Sequence, residues 1–166
     1  MKYKYAFLLF LVAFLLQTTL LNIIGVFGVT PNLLLCLVII FSFLYDEEYH
    51  GLVFGVLFGL LYDICGAQYI GISAIGFMVI ALAIMLINIV LNKELVVSII
   101  LITIAGTWLY QSLYWVIMAM LGSQYSYLYM LRRLPLHILY NTVITTILYY
   151  ALIKKVIKHH KDRYYK

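Results

Sequence analysis

Three charged residues lie beside long apolar stretches, where a charge is chemically costly. Asp63 ends one such stretch, and the pair Arg132 and Arg133 precedes another. A lone charge in an apolar membrane environment is expensive and is usually paired with an opposite charge. Arginine can also donate two hydrogen bonds to one carboxylate. We therefore predict an ion pair between Asp63 and Arg133 or Arg132. The alternative is that Asp63 reaches water or caps the following turn, while the arginines contact lipid headgroups.

A second set of polar residues recurs every four positions after the arginines. Arg133, His137, Asn141 and Thr145 share one face of a predicted helix. In lipid, such side chains face the interior of a helix bundle or a cavity. They can line a binding site or form hydrogen bonds between helices. The second interpretation is favoured, because polar residues in membrane helices most often hold helices together.

The sequence gives weak grounds for catalysis. Ser73 and His137 are the residue types of an intramembrane serine protease, but no glycine follows Ser73 directly and no small residue lies near His137. Nothing supplies an evident oxyanion hole. The two cysteines, Cys36 and Cys65, have neither a CxxC partner nor a nearby histidine, so no metal site or cofactor is indicated. We predict that the protein is not an enzyme.

Glycines spaced four residues apart mark the segment that leads to Asp63. Gly51, Gly55 and Gly59 place a ridge without side chains along one helix face. Such a ridge lets a second helix approach closely in lipid, where van der Waals contact drives helix association. We predict that the ridge packs within this protein's own bundle, and contact with a partner's helix is the alternative.

The composition predicts that these residues lie in a membrane. Of the 166 residues, 66% are hydrophobic and only 10% are charged, whereas soluble domains are about half apolar and a quarter charged. A spanning helix takes about 20 residues, so the chain has room for about six. The N-terminal apolar segment is too long for a signal peptide and lacks a cleavage site, so we interpret it as a retained first helix.

These patterns predict an all-α integral membrane protein with a single transmembrane domain over residues 1–166. Thr30 and Pro31 are typical of the N-cap and the first position of a helix. The predicted elements are six helices and a basic tail: 5–21, 31–45, 51–64, 72–91, 95–121, 134–153 and the tail 154–166.

The distribution of basic residues predicts the orientation. With the N-terminus inside, nine of the eleven Lys and Arg residues are cytoplasmic, and only Arg132 and Arg133 lie outside. Cytoplasmic segments of membrane proteins are enriched in Lys and Arg, so we expect both termini in the cytoplasm and the loop 122–133 outside. The basic tail is predicted to be a cytoplasmic anchor that can touch anionic lipid, rather than a nucleic-acid binding segment.

A series of short motifs runs through most of the chain in a definite order. Gln17 precedes a Pro-Asn-Leu-Leu-Leu helix start, at which Pro31 and Asn32 stand. A charged turn, a glycine-spaced helix ending Gly-Leu-Leu-Tyr-Asp at Asp63, and a glycine-rich turn follow, and Tyr-Asn-Thr occurs later around Asn141. In this order and spacing, the chain resembles MreD, a family of rod shape-determining membrane proteins.

The resemblance implies a non-enzymatic member of the machinery that inserts peptidoglycan along the side wall of rod-shaped bacteria. The partner that it implies is MreC, a single-span protein with a large extracytoplasmic part. The wider complex would include RodA, a transpeptidase and the actin-like MreB. The family's six-helix bundle is similar to the substrate-binding subunits of energy-coupling-factor vitamin transporters.

That similarity defines an alternative function, a small-molecule-binding subunit of such a vitamin transporter. Those subunits commonly dock their transducer through an Ala-x-x-x-Ala motif on the first helix. Here Ala6 and Ala13 are seven residues apart, so the motif is missing. Because a shared fold does not fix function, the sequence favours the cell-shape role.

Overall fold

The computed structural model of the protein describes residues 3–19, 29–45, 49–88, 95–124 and 126–164, with side chains as far as residue 152. Within these ranges the chain forms six α-helices and no strand. In chain order the helices are α1 Tyr3–Thr19, α2 Leu33–Leu44, α3 His50–Gly66, α4 Ile72–Ile87, α5 Val96–Met120 and α6 Tyr127–Tyr164. The predicted helix ends at 21 and 91 lie outside the described residues.

The short helix α2 forms the centre of the bundle. It contacts each of the other five helices, and eleven of its twelve residues are buried. A helix that is apolar on every side is buried on every side, which agrees with the near-absence of polar residues in its sequence. At 1.5 Å per residue, α2 is about 18 Å long, well short of the hydrocarbon thickness of a bilayer.

The glycine ridge of α3 fits between α2 and α4. A Cβ on Gly55 would lie 2.8 Å from the Cγ2 of Val38 on α2, and one on Gly59 would lie 2.9 Å from the Cα of Ala74 on α4. A Cβ on Gly51 would meet the backbone nitrogen of Ser42 at 2.7 Å. All three glycines are buried against this chain's own helices, so the close approach that they allow is made within the bundle.

Two predicted helix starts need correction. The N-cap of α2 is Asn32 rather than Thr30, because the Asn32 side chain accepts a hydrogen bond from the Leu35 amide and the helix begins at Leu33. Helix α6 begins at Tyr127 rather than 134 and continues through Pro135. Proline removes only one backbone donor, which membrane helices tolerate when neighbouring groups compensate.

The end of α6 also differs from the prediction. Its backbone stays helical to Tyr164, so most of the predicted basic tail continues the helix. Among the helices of the described ranges, α5, with 25 residues, is the one that is both long and apolar enough to cross a membrane by length and composition. The first four helices are apolar but have 17 residues or fewer, and the count of six spans remains a prediction.

Candidate functional site

The start of α2 is held by side chains from other helices. The first amide groups of any helix lack partners within the helix, and here the residues that carry them, Asn32 and Leu33, are partly buried. The Oε1 of Gln17 on α1 accepts a hydrogen bond from the Leu33 amide at 2.7 Å, and its Nε2 donates to the carbonyl oxygen of Pro31 at 3.2 Å. One buried side-chain amide therefore joins α1 to both sides of the α2 start.

Asn141 joins α6 to α2 and α5 at the same place. Its Oδ1 accepts a hydrogen bond from the backbone amide of Asn32 at 2.9 Å, and its Nδ2 donates to the Thr107 hydroxyl of α5 at 3.2 Å. Its carbonyl oxygen lies 3.6 Å from the thiol sulfur of Cys36 on α2. Residues that the sequence marked separately, Gln17, Asn32 and Asn141, thus meet in one hydrogen-bond network.

The opposite end of α2 is capped in a similar way. The Nδ2 of Asn88, which directly follows α4, donates hydrogen bonds to the carbonyl oxygens of Ser42 and Phe43 at 2.8 and 3.1 Å. An unpaired buried backbone group costs about 1–3 kcal/mol. Side-chain amides from outside α2 therefore satisfy backbone groups at both of its ends.

Asp63 has partners other than the predicted arginines. Its Oδ2 accepts hydrogen bonds from the backbone amides of Gly71 and Ser73 at 2.9 and 2.8 Å, across the turn between α3 and α4. Gly71 has a φ of 102°, a conformation that glycine adopts without strain. Asp63 is 1% exposed. In place of an ion pair, the carboxylate caps the following turn, which was the alternative interpretation.

The two arginines of α6 face different surroundings. The guanidinium carbon of Arg133 lies 4.4 Å from the centre of the Tyr129 ring, a cation–π contact. Arg132 is exposed. His137, one turn after Arg133, is partly buried and lines a cleft.

That cleft occupies the end of the bundle at which α1, α3 and α5 end and α2, α4 and α6 begin. Its larger cavity has a volume of about 430 Å³, and an adjoining cavity between α5 and α6 has about 270 Å³. The two cavities share four lining residues: Gln68, Gln111, Tyr114 and His137. We call the two cavities together the polar cleft.

Several residues of the polar cleft were not singled out from the sequence. Tyr110 and Tyr114, four residues apart on α5, both line the cleft, and the Tyr110 hydroxyl lies 3.2 Å from the Ser73 hydroxyl. Their four-residue spacing puts them on one face of α5 and is a sequence signal that both could line the same site. Tyrosine is so frequent in this chain, with 16 copies, that the spacing did not stand out.

The described residues contain no group of three His, Cys, Asp or Glu side chains placed to hold a metal ion. Cys36 is buried and Cys65 is exposed, and both are free thiols. The polar groups that the helices bring together are mainly amides and hydroxyls, which are suited to hydrogen bonding rather than to metal ligation.

The fold and the hydrogen bonds at both ends of α2 are those of a helical membrane protein, in which buried polar side chains bond to neighbouring helices. A family model described as rod shape-determining protein MreD matches residues 1–158. The chain therefore belongs to the MreD family, a family of membrane proteins that determine rod shape. Comparison with curated proteins and with solved structures found no significant match.

Proposed function

We propose that this protein is a non-catalytic membrane component of the bacterial cell-elongation machinery, which helps to organise side-wall peptidoglycan synthesis. The observation that carries the proposal is the family match, because it extends over residues 1–158 of a 166-residue chain. A role in rod shape applies to the whole protein rather than to one segment. The vitamin-transporter alternative is not favoured by this match.

The proposed partner is an MreC-type single-span protein, within a wider complex that includes RodA, a transpeptidase and MreB. The bundle offers apolar helix surfaces that suit a membrane-embedded partner or lipid: Leu86 of α4 is 73% exposed, Leu101 of α5 is 57% exposed and Ile147 of α6 is 63% exposed. In lipid, such surfaces associate through close van der Waals contact rather than through exclusion of water.

We further propose that the protein lies in the bacterial cytoplasmic membrane with several spans and with both termini in the cytoplasm. The nine-to-two distribution of basic residues supports this orientation. This orientation would put the polar cleft, which Arg133 helps to line, on the extracytoplasmic side. An extracytoplasmic partner domain would then meet this end of the bundle.

Co-purification tests the partner proposal. An affinity tag is placed on an MreC-type protein from the same bacterium, and the membrane fraction is solubilised in a mild detergent. We expect this protein to elute with the tagged partner after washing at high salt, since a contact within the membrane is not screened by ions. The control is an unrelated single-span protein with the same tag. Equal recovery with the control, or no recovery with the partner, would contradict the proposal.

A further inference from the structure

The polar cleft is large enough for a ligand and is not accounted for by a structural role alone. Small-molecule sites commonly measure about 300–1,000 Å³, and the larger cavity alone has about 430 Å³. Part of its lining, such as Gln17, is committed to helix contacts. The remaining lining groups decide which ligand could be held.

Those remaining groups are mainly neutral hydrogen-bonding side chains. Gln68 and Gln111 line both cavities, and their side-chain amides form no hydrogen bond among the described residues. Tyr62 adds an aromatic ring with a hydroxyl group. Amides and hydroxyls arranged with aromatic faces match a ligand that carries several hydroxyl groups, because each can both donate and accept hydrogen bonds.

One charged residue lines the described part of the cleft, and the buried Asp63 carboxylate lies next to the lining, where it accepts a hydrogen bond from the backbone amide of Ser73. Among the described residues that line the two cavities, no aspartate, glutamate or lysine occurs, and Arg133 is the arginine. The Tyr129 ring lies against its guanidinium group, which restrains the side chain. A planar guanidinium with several donors suits a phosphate group and would repel a cationic group placed beside it.

The smaller cavity adds apolar surface beside that charge. Trp115, Met118 and Met130 line it together with Arg133. If a phosphate binds at Arg133, a hydrocarbon chain attached to it can pack against these apolar side chains. A soluble phosphate ester has no hydrocarbon chain to make such contacts. This juxtaposition favours a lipid over a soluble compound.

We propose that the polar cleft binds a phosphate ester of a polyol or sugar carried by a membrane lipid. The phosphate lies at Arg133, and the hydroxyl-bearing headgroup reaches Gln68 and Gln111 in the larger cavity. The simplest lipid with this chemistry is phosphatidylglycerol. The site is a property of the bundle itself and does not depend on the proposed protein partner.

Native mass spectrometry of the purified full-length protein in detergent tests the proposal. The probes are phosphatidylglycerol, phosphatidylethanolamine with the same acyl chains, and soluble glycerol 3-phosphate. We expect phosphatidylglycerol to bind about tenfold more tightly than phosphatidylethanolamine, whose headgroup replaces hydroxyls with an ammonium group; this ratio corresponds to about 1.4 kcal/mol. Equal binding of the two lipids would overturn the proposal. If glycerol 3-phosphate binds as tightly as phosphatidylglycerol, the proposal that the ligand is carried by a lipid is overturned.

Variants locate the binding. Arg133→Gln should weaken phosphatidylglycerol binding about tenfold, while Arg132→Gln, the exposed neighbour outside the lining, should leave it unchanged. Gln68→Leu should remove the preference between the two lipids without altering the charge of the protein. Gln68 is exposed at the turn after α3, so this change should not prevent folding, and an unaltered melting temperature checks that. Equal effects of the two arginine changes, or a preference retained in Gln68→Leu, would refute the assignment.

Discussion

At the scale of single residues, the interior of this protein is organised by side-chain amides. Asn141, Gln17 and Asn88 each satisfy backbone groups of a helix to which they do not belong. Hydrogen bonds of this kind are modest in net value when formed, but a buried group left unpaired is costly. The amides therefore fix the position of α2 rather than only adding to its stability.

Asn141→Leu should destabilise the bundle. The change leaves the Asn32 amide and the Thr107 hydroxyl without their Asn141 partners, so we expect a loss of about 1–3 kcal/mol and a lower melting temperature in detergent. The control is Thr142→Val on the next residue, which is partly buried and nearly isosteric. A melting temperature equal to that of the Thr142→Val variant would show that the network is dispensable.

Asp63 and Arg133 should behave as independent residues. The carboxylate is bound by two backbone amides of the turn between α3 and α4, so its role does not require an arginine. In a double-mutant cycle with Asp63→Asn and Arg133→Gln, we expect the two changes in unfolding free energy to add within about 0.5 kcal/mol. A coupling energy above about 1 kcal/mol would instead support the ion pair that the sequence predicts.

At the scale of elements, close contacts between helices form at glycines, because glycine has no side chain. The ridge of Gly51, Gly55 and Gly59 brings α3 against α2 and α4. Spacing alone predicted a close contact, since four-residue repeats of glycine have few other uses in a membrane helix. Which helices form the other side of that contact depends on the tertiary arrangement, and spacing does not carry this information.

Gly55→Leu should prevent the native arrangement of α3. Even a Cβ at this position would lie 2.8 Å from Val38, and a full leucine adds more volume than a packed interior accepts. We expect aggregation or a markedly lower melting temperature. Gly66→Ala in the same helix is the matched control, because nothing lies within 4 Å of its added Cβ. If size-exclusion profiles and melting temperatures of both variants match the wild type, the ridge does not hold α3 in place.

Helix boundaries show where local sequence signals compete. Both Thr30 and Asn32 are good N-cap residues, and the choice of Asn32 depends on Asn141, which is 109 positions away. The segment 122–133, which is rich in Tyr and Ser, predicts a loop, but α6 begins within it at Tyr127 and continues through Arg132 and Arg133. A helix can carry charges where it extends toward the membrane surface, so charge alone does not end it.

At the scale of the whole molecule, composition and motif order carried the most information. Apolar content predicted a helical membrane protein, and the order of motifs from Gln17 to Asn141 predicted the MreD family, which the family match confirms. The polar cleft could not be predicted, because its lining comes from α1, α3, α4, α5, α6, the turn after α3 and the residues that precede α2. Such a surface exists only when distant segments meet.

The orientation in the membrane is a prediction for the whole chain. In a variant lacking Cys36 and Cys65, a single cysteine introduced at Ser126 should react with a membrane-impermeant maleimide added to intact spheroplasts. The reason is that the distribution of basic residues predicts that the start of α6 and the residues just before it lie outside. A cysteine at Ser126 that reacts only after the membrane is opened would reverse the orientation.

The shape of cells depleted of this protein tests the central claim most directly. In a rod-shaped bacterium that carries the gene, depletion should convert rods into round cells, and re-expression of the wild type or of Gly66→Ala should restore the rod. Gly55→Leu should fail to restore it, because the bundle does not form. Width and length measured by phase-contrast microscopy give the result. Rods that keep their width and length after complete loss of the protein would contradict the account.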